Sequence, residues 1–182
     1  MRILAAIDQP GVIRGILECL DLSSRAPPLS PALSPEPTDL GQLVTDVADT
    51  HRRRAAEANV DVEVATPEAS VEAVVDPVRM REVVTNLVVN ALRAMPDGGT
   101  LRLEASRADD GPVISVTDTG VGIEPDELDR VFDRFHKSSG SGGSGLGLSI
   151  SRDLVAAHGG TLTIDSDLGT GTVVRVDLSA EI

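Results

Sequence analysis

The stretch DPVRMREVVTNLVVNALRA, residues 76–94, decides how the rest of the chain is read. Asp76 is a good N-cap and Pro77 fits a first helical position, while Pro96 and the glycines after it end the helix. Apolar residues lie on nearly all sides, which predicts a buried helix. These apolar positions are Val83, Val84, Leu87, Val88, Val89 and Ala91.

Four polar residues share one face of this predicted helix. Glu82, Asn86 and Asn90 are four residues apart, and Arg93 follows three later; such spacings place side chains in one row. A buried amide without a partner costs about 1–3 kcal/mol. Two asparagines in one row therefore require a polar partner, such as a metal-phosphate group. A solvated strip on a surface helix is the alternative that this helix leaves open.

Two glycine-rich segments follow. DTGVGI (118–123) comes after a predicted strand, and its glycines permit positive φ and a close approach to a ligand. Asp118 can accept a hydrogen bond from an exocyclic amine, although a tight turn with an Asx cap is the alternative. GSGGSGLGLSI (140–150) runs into a helix whose first amides can hold phosphate, unless it is only a linker. It lacks the Gly-Lys-Ser/Thr ending of a Walker loop.

The hydrophobic pattern mixes helices with strands along the chain. It predicts an α/β (α+β) fold, a two-layer sandwich of a mixed β-sheet covered on one face by helices. The predicted helices are 12–24, 38–59 (capped by Thr38 or Asp39), 77–94, 125–135 and 146–157, and the predicted strands are 60–65, 71–76, 100–106, 113–118, 161–166 and 172–178. Prolines between residues 27 and 37 predict an extended linker. The predicted parts are residues 1–25, a linker at 26–37 and a domain at 38–182.

Composition excludes several kinds of partner. The net charge of −13 argues against nucleic acid and anionic membranes. No apolar run reaches the roughly 20 residues of a membrane span, and the N-terminus is a poor signal peptide. A single cysteine, Cys19, fits a reducing compartment. We therefore expect a cytoplasmic location.

Five segments in this order carry a family resemblance: NLVVNA (86–91), DTGVGI (118–123), FDRF (132–135), GGSGLGLSI (142–150) and GTGT (169–172). The chain resembles the catalytic ATP-binding domain of sensor histidine kinases, within the superfamily of gyrase, heat-shock chaperone, histidine kinase and mismatch-repair ATPases. The resemblance covers residues 37–178 and implies a Bergerat-type ATP-binding fold. One such segment is weak evidence, but the ordered set is specific.

The resemblance implies binding of ATP and Mg²⁺. Asn86 is expected to ligate Mg²⁺, with Asn90 beside it, and Asp118 to read the adenine amine with help from Thr172. Glu82 is either a catalytic base or an exposed helical residue. The other implied ATP-binding positions are Arg93, Gly120, Gly122, Ile123, Arg134, Lys137, Gly143, Gly145, Leu146, Gly147 and Leu148. The segment 134–145 is the implied lid over the nucleotide.

The implied reaction is transfer of the γ-phosphoryl group to a histidine. None of His51, His136 and His158 lies in the expected acceptor motif, so the acceptor belongs to another chain or a missing segment. Residues 13–27, IRGILECLDLSSRAP, are similar to the end of the dimerisation hairpin, and the resemblance implies that residues 1–25 are a remnant of it. The expected partners are a phosphoacceptor-histidine protein or domain and a downstream response regulator.

Several readings of this chain stay open. It is either a fragment, such as the cytoplasmic part of a membrane-anchored kinase, or one half of a split kinase. A serine kinase of the anti-sigma type and a non-catalytic nucleotide-binding module of the same fold are the alternative functions.

Overall fold

A computed structural model describes residues 33–128, 130–133 and 146–179 of the chain. The strands are β1 (Glu36–Asp39), β2 (Val60–Ala65), β3 (Glu72–Val75), β4 (Gly99–Ala108), β5 (Gly111–Asp118), β6 (Thr161–Asp167) and β7 (Gly171–Asp177). The helices are α1 (Leu40–Glu57), α2 (Pro77–Ala94), α3 (Pro125–Leu128) and α4 (Gly147–Ala157).

Five of these strands form the main sheet, in the order β2-β4-β5-β7-β6. The β2–β4 pair is parallel, whereas β4–β5, β5–β7 and β6–β7 are antiparallel. Strands β1 and β3 form a separate antiparallel pair. The predicted mixed sheet is therefore confirmed.

One face of the main sheet forms the core with the helices. Alternate residues of the central strands, such as Leu101, Ile114 and Val176, are buried there. They belong to one apolar cluster with buried residues of α1, α2 and α4. Residues of opposite parity, such as Arg102 and Arg175, are exposed, as the period of two requires. The fold is thus a two-layer sandwich with helices on one face of the sheet, as predicted.

Helix α2 begins and ends where its sequence predicts. The Asp76 carboxylate accepts hydrogen bonds from the backbone N–H of Val78 (3.0 Å) and Arg79 (3.1 Å), with Pro77 in the first turn. The helix is not apolar and buried on nearly all sides, however. Val78 is 70% exposed and Val89 is half-buried. The sequence overstated burial because valine also occurs on the outer side of this helix.

The second predicted cap is Asp39, which accepts from the backbone N–H of Gly41 (2.8 Å) and Gln42 (3.2 Å) at the start of α1. Between these alternatives, the structure chooses Asp39 over Thr38. Residues 36 and 37, which we expected in the linker, belong to strand β1. Their pairing with β3 is a contact between distant segments that local proline content does not indicate.

Two other boundaries differ from the prediction. The helix expected over 125–135 is a single turn, α3, within the described part of that segment. Acidic residues in its first turn favour a helix start, but none of its residues is buried. The β4–β5 hairpin is longer than expected, since β4 reaches Ala108 and β5 begins at Gly111. The predicted helix at 12–24 lies outside the described residues.

Among the described residues, no helix combines the length and apolar character needed to cross a membrane.

Candidate functional site

The predicted row of asparagines on α2 faces the start of α4. Asn86 and Asn90 are both half-buried, and the two helices pack together. A Cβ atom placed on Gly147 would stand 3.8 Å from Asn90 Nδ2 and 3.9 Å from Asn86 Cγ. The structure therefore brings Asn86 and Asn90 to the first residue of the helix that follows the second glycine-rich segment.

Ser151 completes this contact and was not singled out from the sequence. Its side chain is fully buried, and Asn86 Nδ2 lies 3.4 Å from its hydroxyl oxygen, a long hydrogen bond. Because the amide nitrogen of Asn86 faces Ser151, its Oδ1 is the atom left for a cation. Ser151 lies four residues after Gly147 in α4, and this same-face spacing was the available signal.

The start of α4 has the features of an anion site. Leu146 occupies the N-cap position, and no side-chain hydrogen bond caps the helix there. The hydroxyl of Ser149 instead donates to the carbonyl oxygen of Leu146 at 3.0 Å. The first N–H groups of a helix without a cap favour negative charge. Leu148 is half-buried and packs on the core.

A second cluster lies where β5 ends. Asp118 is 6% exposed, and its Oδ1 accepts a hydrogen bond from the backbone N–H of Gly120 at 2.9 Å. Burial raises the pKa of the Asp118 carboxyl above its ordinary value, and hydrogen bonds from the backbone N–H groups of Gly120 and Thr172 partly offset this rise. A carboxylate offers about four lone-pair positions. Asp118 therefore keeps acceptor capacity beyond these two contacts for a donor on a ligand.

Thr172 stands directly opposite Asp118 in the β5–β7 ladder and is buried. Its hydroxyl lies 2.9 Å from the hydroxyl of Ser166 on β6. The Ser166 oxygen also accepts from the backbone N–H of Ile123 at 3.0 Å. Ser166 thus joins the predicted site residues Ile123 and Thr172. Nothing in the local sequence around Ser166 marks it.

The glycines of the first glycine-rich segment are required by contacts within the protein. A Cβ on Gly120 would overlap the carbonyl oxygen of Ala94 at the end of α2. Gly122 has φ +71°, and a Cβ there would overlap the carbonyl oxygen of Asp167. Because these two positions carry no side chain, the loop after β5 can lie close to the end of α2 and to the β6–β7 turn.

The other predicted site residues divide into two groups. Glu82 is half-exposed, and its carboxylate lies 3.0 Å from Arg79 Nη1 in an ion pair on its own helix. Arg93 is exposed in the last turn of α2. Within the described residues, the side-chain hydrogen bond of Asn86 goes to Ser151 and to neither of these side chains. Four predicted residues lie outside the part of the chain that the structure describes: Arg134, Lys137, Gly143 and Gly145.

Phe132, which precedes the implied lid, contacts helix α4. The guanidinium carbon of Arg152 lies 5.0 Å from the centre of the Phe132 ring, within the range of a cation–π contact. Phe132 also packs against the core cluster. Phe132, the first residue of the predicted FDRF segment, therefore contacts the same helix that presents Gly147 and Ser151.

The histidines of the described region serve the fold. His51 Nδ1 lies 2.9 Å from the carbonyl oxygen of Val47 in its own helix. His158 uses both ring nitrogens, one towards the carbonyl oxygen of Leu154 and the other towards the N–H of Asp76. These contacts favour structural roles for both, and His136 lies outside the described residues.

Comparison with protein families identifies one match. Residues 75–182 match the family described as histidine kinase-, DNA gyrase B-, and HSP90-like ATPase. The matched range contains both clusters described above.

Individual proteins are similar over most of the chain. It is 39% identical over 144 residues to hybrid signal transduction histidine kinase D of Dictyostelium discoideum, covering 73% of this chain and 9% of that protein. It is 31% identical over 144 residues to sensor histidine kinase RppB of Synechocystis, covering 76% of this chain and 32% of that protein. The chain thus spans a third or less of these relatives.

Solved structures agree with the fold. The structure of the mycobacterial sensor histidine kinase MprB matches with a TM-score of 0.71 and 30% identity, covering 82% of this chain and all of that one. Full-length ShkA, in complex with AMPPNP, matches with a TM-score of 0.73 and 29% identity, covering 94% of this chain and 37% of that one.

Proposed function

The chain belongs to the histidine kinase-, DNA gyrase B-, and HSP90-like ATPase family and carries the ATP-binding catalytic domain of a histidine kinase, and we propose that it binds Mg-ATP and transfers the γ-phosphoryl group to a histidine on another segment or chain. The ATP-binding domain is the part that the comparisons identify. The metal, the residue roles and the transfer are our proposal.

One observation carries the proposal: Asn86 and Asn90 face the first residue of α4, Gly147, at a helix start without a side-chain cap. This arrangement places two amide side chains beside the first backbone N–H groups of α4, where the N-cap residue Leu146 provides no side-chain cap. Amide oxygens suit Mg²⁺, and helix N-termini suit phosphate. The same place therefore supplies groups for both parts of a metal-phosphate ligand.

The base end of the nucleotide is assigned to Asp118 and Thr172. Asp118 is a buried carboxylate with acceptor capacity beyond its two backbone hydrogen bonds, which fits an exocyclic amine. The backbone N–H of Ile123 donates to the Ser166 hydroxyl, which in turn contacts the Thr172 hydroxyl. Gly120 and Gly122 keep the loop in place against the protein's own backbone.

The phosphate end is assigned to Asn86, Asn90 and the α4 start, with Arg93 exposed at the end of α2. Asn86 Oδ1 would hold Mg²⁺, which neutralises phosphate charge during transfer. The Asn86 amide is oriented by the hydrogen bond that its Nδ2 donates to the Ser151 hydroxyl. Leu146 and Leu148 support the helix start. Lid cations Arg134 and Lys137 and glycines Gly143 and Gly145 belong to the proposal through the family resemblance alone.

Glu82 has a weaker claim to a catalytic role. Its carboxylate pairs with Arg79 on its own helix, so it acts as a base only if that half-exposed pair opens. Its position one turn from Asn86 on the same helix supports the role.

The proposed acceptor histidine lies on a partner. His51 and His158 are hydrogen-bonded within the fold, which supports a phosphoacceptor-histidine domain elsewhere and a downstream response regulator.

Binding is tested first, by calorimetric titration of the chain with ATP in the presence and absence of Mg²⁺. Asn86→Ala is expected to remove the magnesium dependence of binding, since it deletes the proposed ligand. Gln42→Ala is the matched control, because it deletes an exposed amide whose side-chain hydrogen bond, within the described part of the chain, goes to Asp46. Unchanged magnesium dependence in Asn86→Ala contradicts the metal assignment.

Transfer is tested with γ-labelled ATP and a purified protein bearing a hairpin histidine. Acid-labile label on that histidine supports the proposal, and its loss in Asn86→Ala links it to this site. Acid-stable label on serine instead supports the serine-kinase alternative. Binding without transfer to any offered acceptor supports a non-catalytic module.

A further inference from the structure

The hydroxyl of Ser166 contacts three different groups at the base end of the site. Its oxygen lies 3.0 Å from the backbone nitrogen of Ile123, 2.9 Å from the carbonyl oxygen of Gly171 and 2.9 Å from the hydroxyl oxygen of Thr172. The side chain is buried. It therefore links the loop after β5 to the last strand of the sheet.

The number of protons decides the direction of these hydrogen bonds. A serine hydroxyl carries one proton and two lone pairs. The carbonyl of Gly171 can only accept and the N–H of Ile123 can only donate, so the Ser166 proton goes to Gly171 and one lone pair goes to Ile123. The remaining contact, with Thr172, is satisfied only if Thr172 donates. The reverse direction would bring two acceptors together at 2.9 Å.

Both donors of Thr172 are then used by groups of the protein itself. Its backbone N–H donates to the Asp118 carboxylate, and its hydroxyl proton is directed to Ser166. What remains on the Thr172 hydroxyl is acceptor capacity. Asp118, directly opposite in the ladder, is also an acceptor when ionised. The two side chains together offer a ligand acceptors and no donor.

We propose that Ser166 is a positioning residue that keeps the Thr172 hydroxyl an acceptor and so makes the site select a purine with an amino group at position 6. This rests on the proposed function, in which Asp118 and Thr172 receive the base. An amino group supplies two N–H donors to two acceptors. A 6-oxo purine, as in an inosine nucleotide, presents lone pairs to the same acceptors.

The preference is measured by calorimetry with Mg-ADP and Mg-IDP on the full chain. Diphosphates keep the assay independent of any transfer reaction. A site built to bind a polar group rejects an analogue lacking it strongly, so we expect the wild type to favour ADP by roughly 100-fold or more. In Ser166→Ala the Thr172 hydroxyl is free to turn and donate to a 6-oxo group. The ratio is expected to fall by about tenfold, the scale of one hydrogen bond.

Ser179→Ala is the matched control. Its hydroxyl also donates to a backbone carbonyl at 2.9 Å, but that carbonyl belongs to Gly159, which is not one of the proposed site residues. We expect it to keep the wild-type ratio. Ser166→Cys retains a weak donor of similar size and is expected to give an intermediate ratio, which provides a second variant if Ser166→Ala does not fold.

A double-mutant comparison separates positioning from a general loss of packing. In a Thr172→Val background the group that Ser166 is proposed to orient is gone, so adding Ser166→Ala should no longer change the ADP-to-IDP ratio. A further fall of the ratio in that background overturns the proposal, as does a wild-type ratio in folded Ser166→Ala. If the wild type binds neither diphosphate, the proposed function fails together with this inference.

Discussion

His158 Nε2 accepts a hydrogen bond from the backbone N–H of Asp76 at 3.0 Å, joining residues 82 positions apart. Its Nδ1 lies 2.7 Å from the carbonyl oxygen of Leu154, which fixes the proton on Nδ1 because a carbonyl only accepts. The Asp76 carboxylate in turn accepts from the backbone N–H of Ser34 at 3.0 Å. The end of α4, the start of α2 and the first described residues of the chain therefore meet at one hydrogen-bonded junction.

Replacing His158 tests this junction. His158→Ala leaves the Asp76 N–H without its acceptor, and we expect the free energy of unfolding to fall by about 1–3 kcal/mol. Urea unfolding followed by circular dichroism measures it. His51→Ala is the control, because the His51 ring bonds the carbonyl oxygen of Val47 in its own helix and joins no distant segments. Equal losses in the two variants would contradict a special role for the junction.

Two glycine substitutions separate folding from binding. In Gly120→Ala the new methyl group overlaps the carbonyl oxygen of Ala94, and such overpacking is expected to cost about 1–3 kcal/mol. In Gly147→Ala the methyl group meets Asn86 and Asn90 at ordinary contact distances. We expect Gly147→Ala to keep the wild-type melting temperature and to weaken Mg-ATP binding, because it narrows the space beside both amides. Thermal unfolding and calorimetry on both variants decide it.

The pH dependence of stability tests the burial of Asp118. Because burial raises the pKa of this carboxyl in the folded state, the folded protein holds the proton more tightly than the unfolded chain. The associated stability is fully present below the unfolded pKa of about 3.9 and is lost as pH rises through the folded pKa. Asp118→Asn does not titrate there. As pH rises through this window, the free energy of unfolding of the wild type should fall relative to that of Asp118→Asn. Thermal unfolding at a series of pH values measures both. A difference between the two proteins that does not change with pH would contradict the prediction.

The contact between Arg152 and Phe132 is expected to stabilise the segment before the lid. Arg152→Met keeps an apolar side chain of comparable length but loses the charge over the ring, at an expected cost of about 0.5–1 kcal/mol. Arg53→Met is the control, since Arg53 is a 91% exposed helical arginine paired with Glu57. Chemical unfolding that shows no difference between the variants would rule out a stabilising contact.

The sequence predicted the elements whose signals are local. Asp76 and Pro77 mark the start of α2 next to the helix itself, and the period-two pattern of residues 60–65 lies within one strand. Asn86 and Asn90 share one face of α2, as their four-residue spacing predicted, but both are half-buried and their contact with α4 was not predicted. These predictions depend only on residues a few positions apart.

What the sequence missed depends on distant contacts. Ser166 reaches Ile123 across 43 residues, and Ser151 reaches Asn86 across 65. The spacing of Ser151 from Gly147 indicates a shared helix face, but no local pattern names Asn86 as the partner of Ser151 or Ile123 as the partner of Ser166. The predicted length of α3 was wrong for a related reason. Its composition favours a helix, but none of its residues is buried, so packing does not stabilise a longer one. Helices of this length depend on tertiary packing.

The parallel pairing of β2 with β4 has a consequence for synthesis on the ribosome. In the main sheet β2 is an edge strand whose neighbour is β4, and β3 and α2 are made between the two. The nascent chain therefore presents the apolar side of β2, with Val60, Val62 and Val64, before its template exists. The hairpins β4–β5 and β6–β7 close between adjacent segments. The earliest strand of the main sheet can therefore pair with its neighbour only after β3, α2 and β4 have been made.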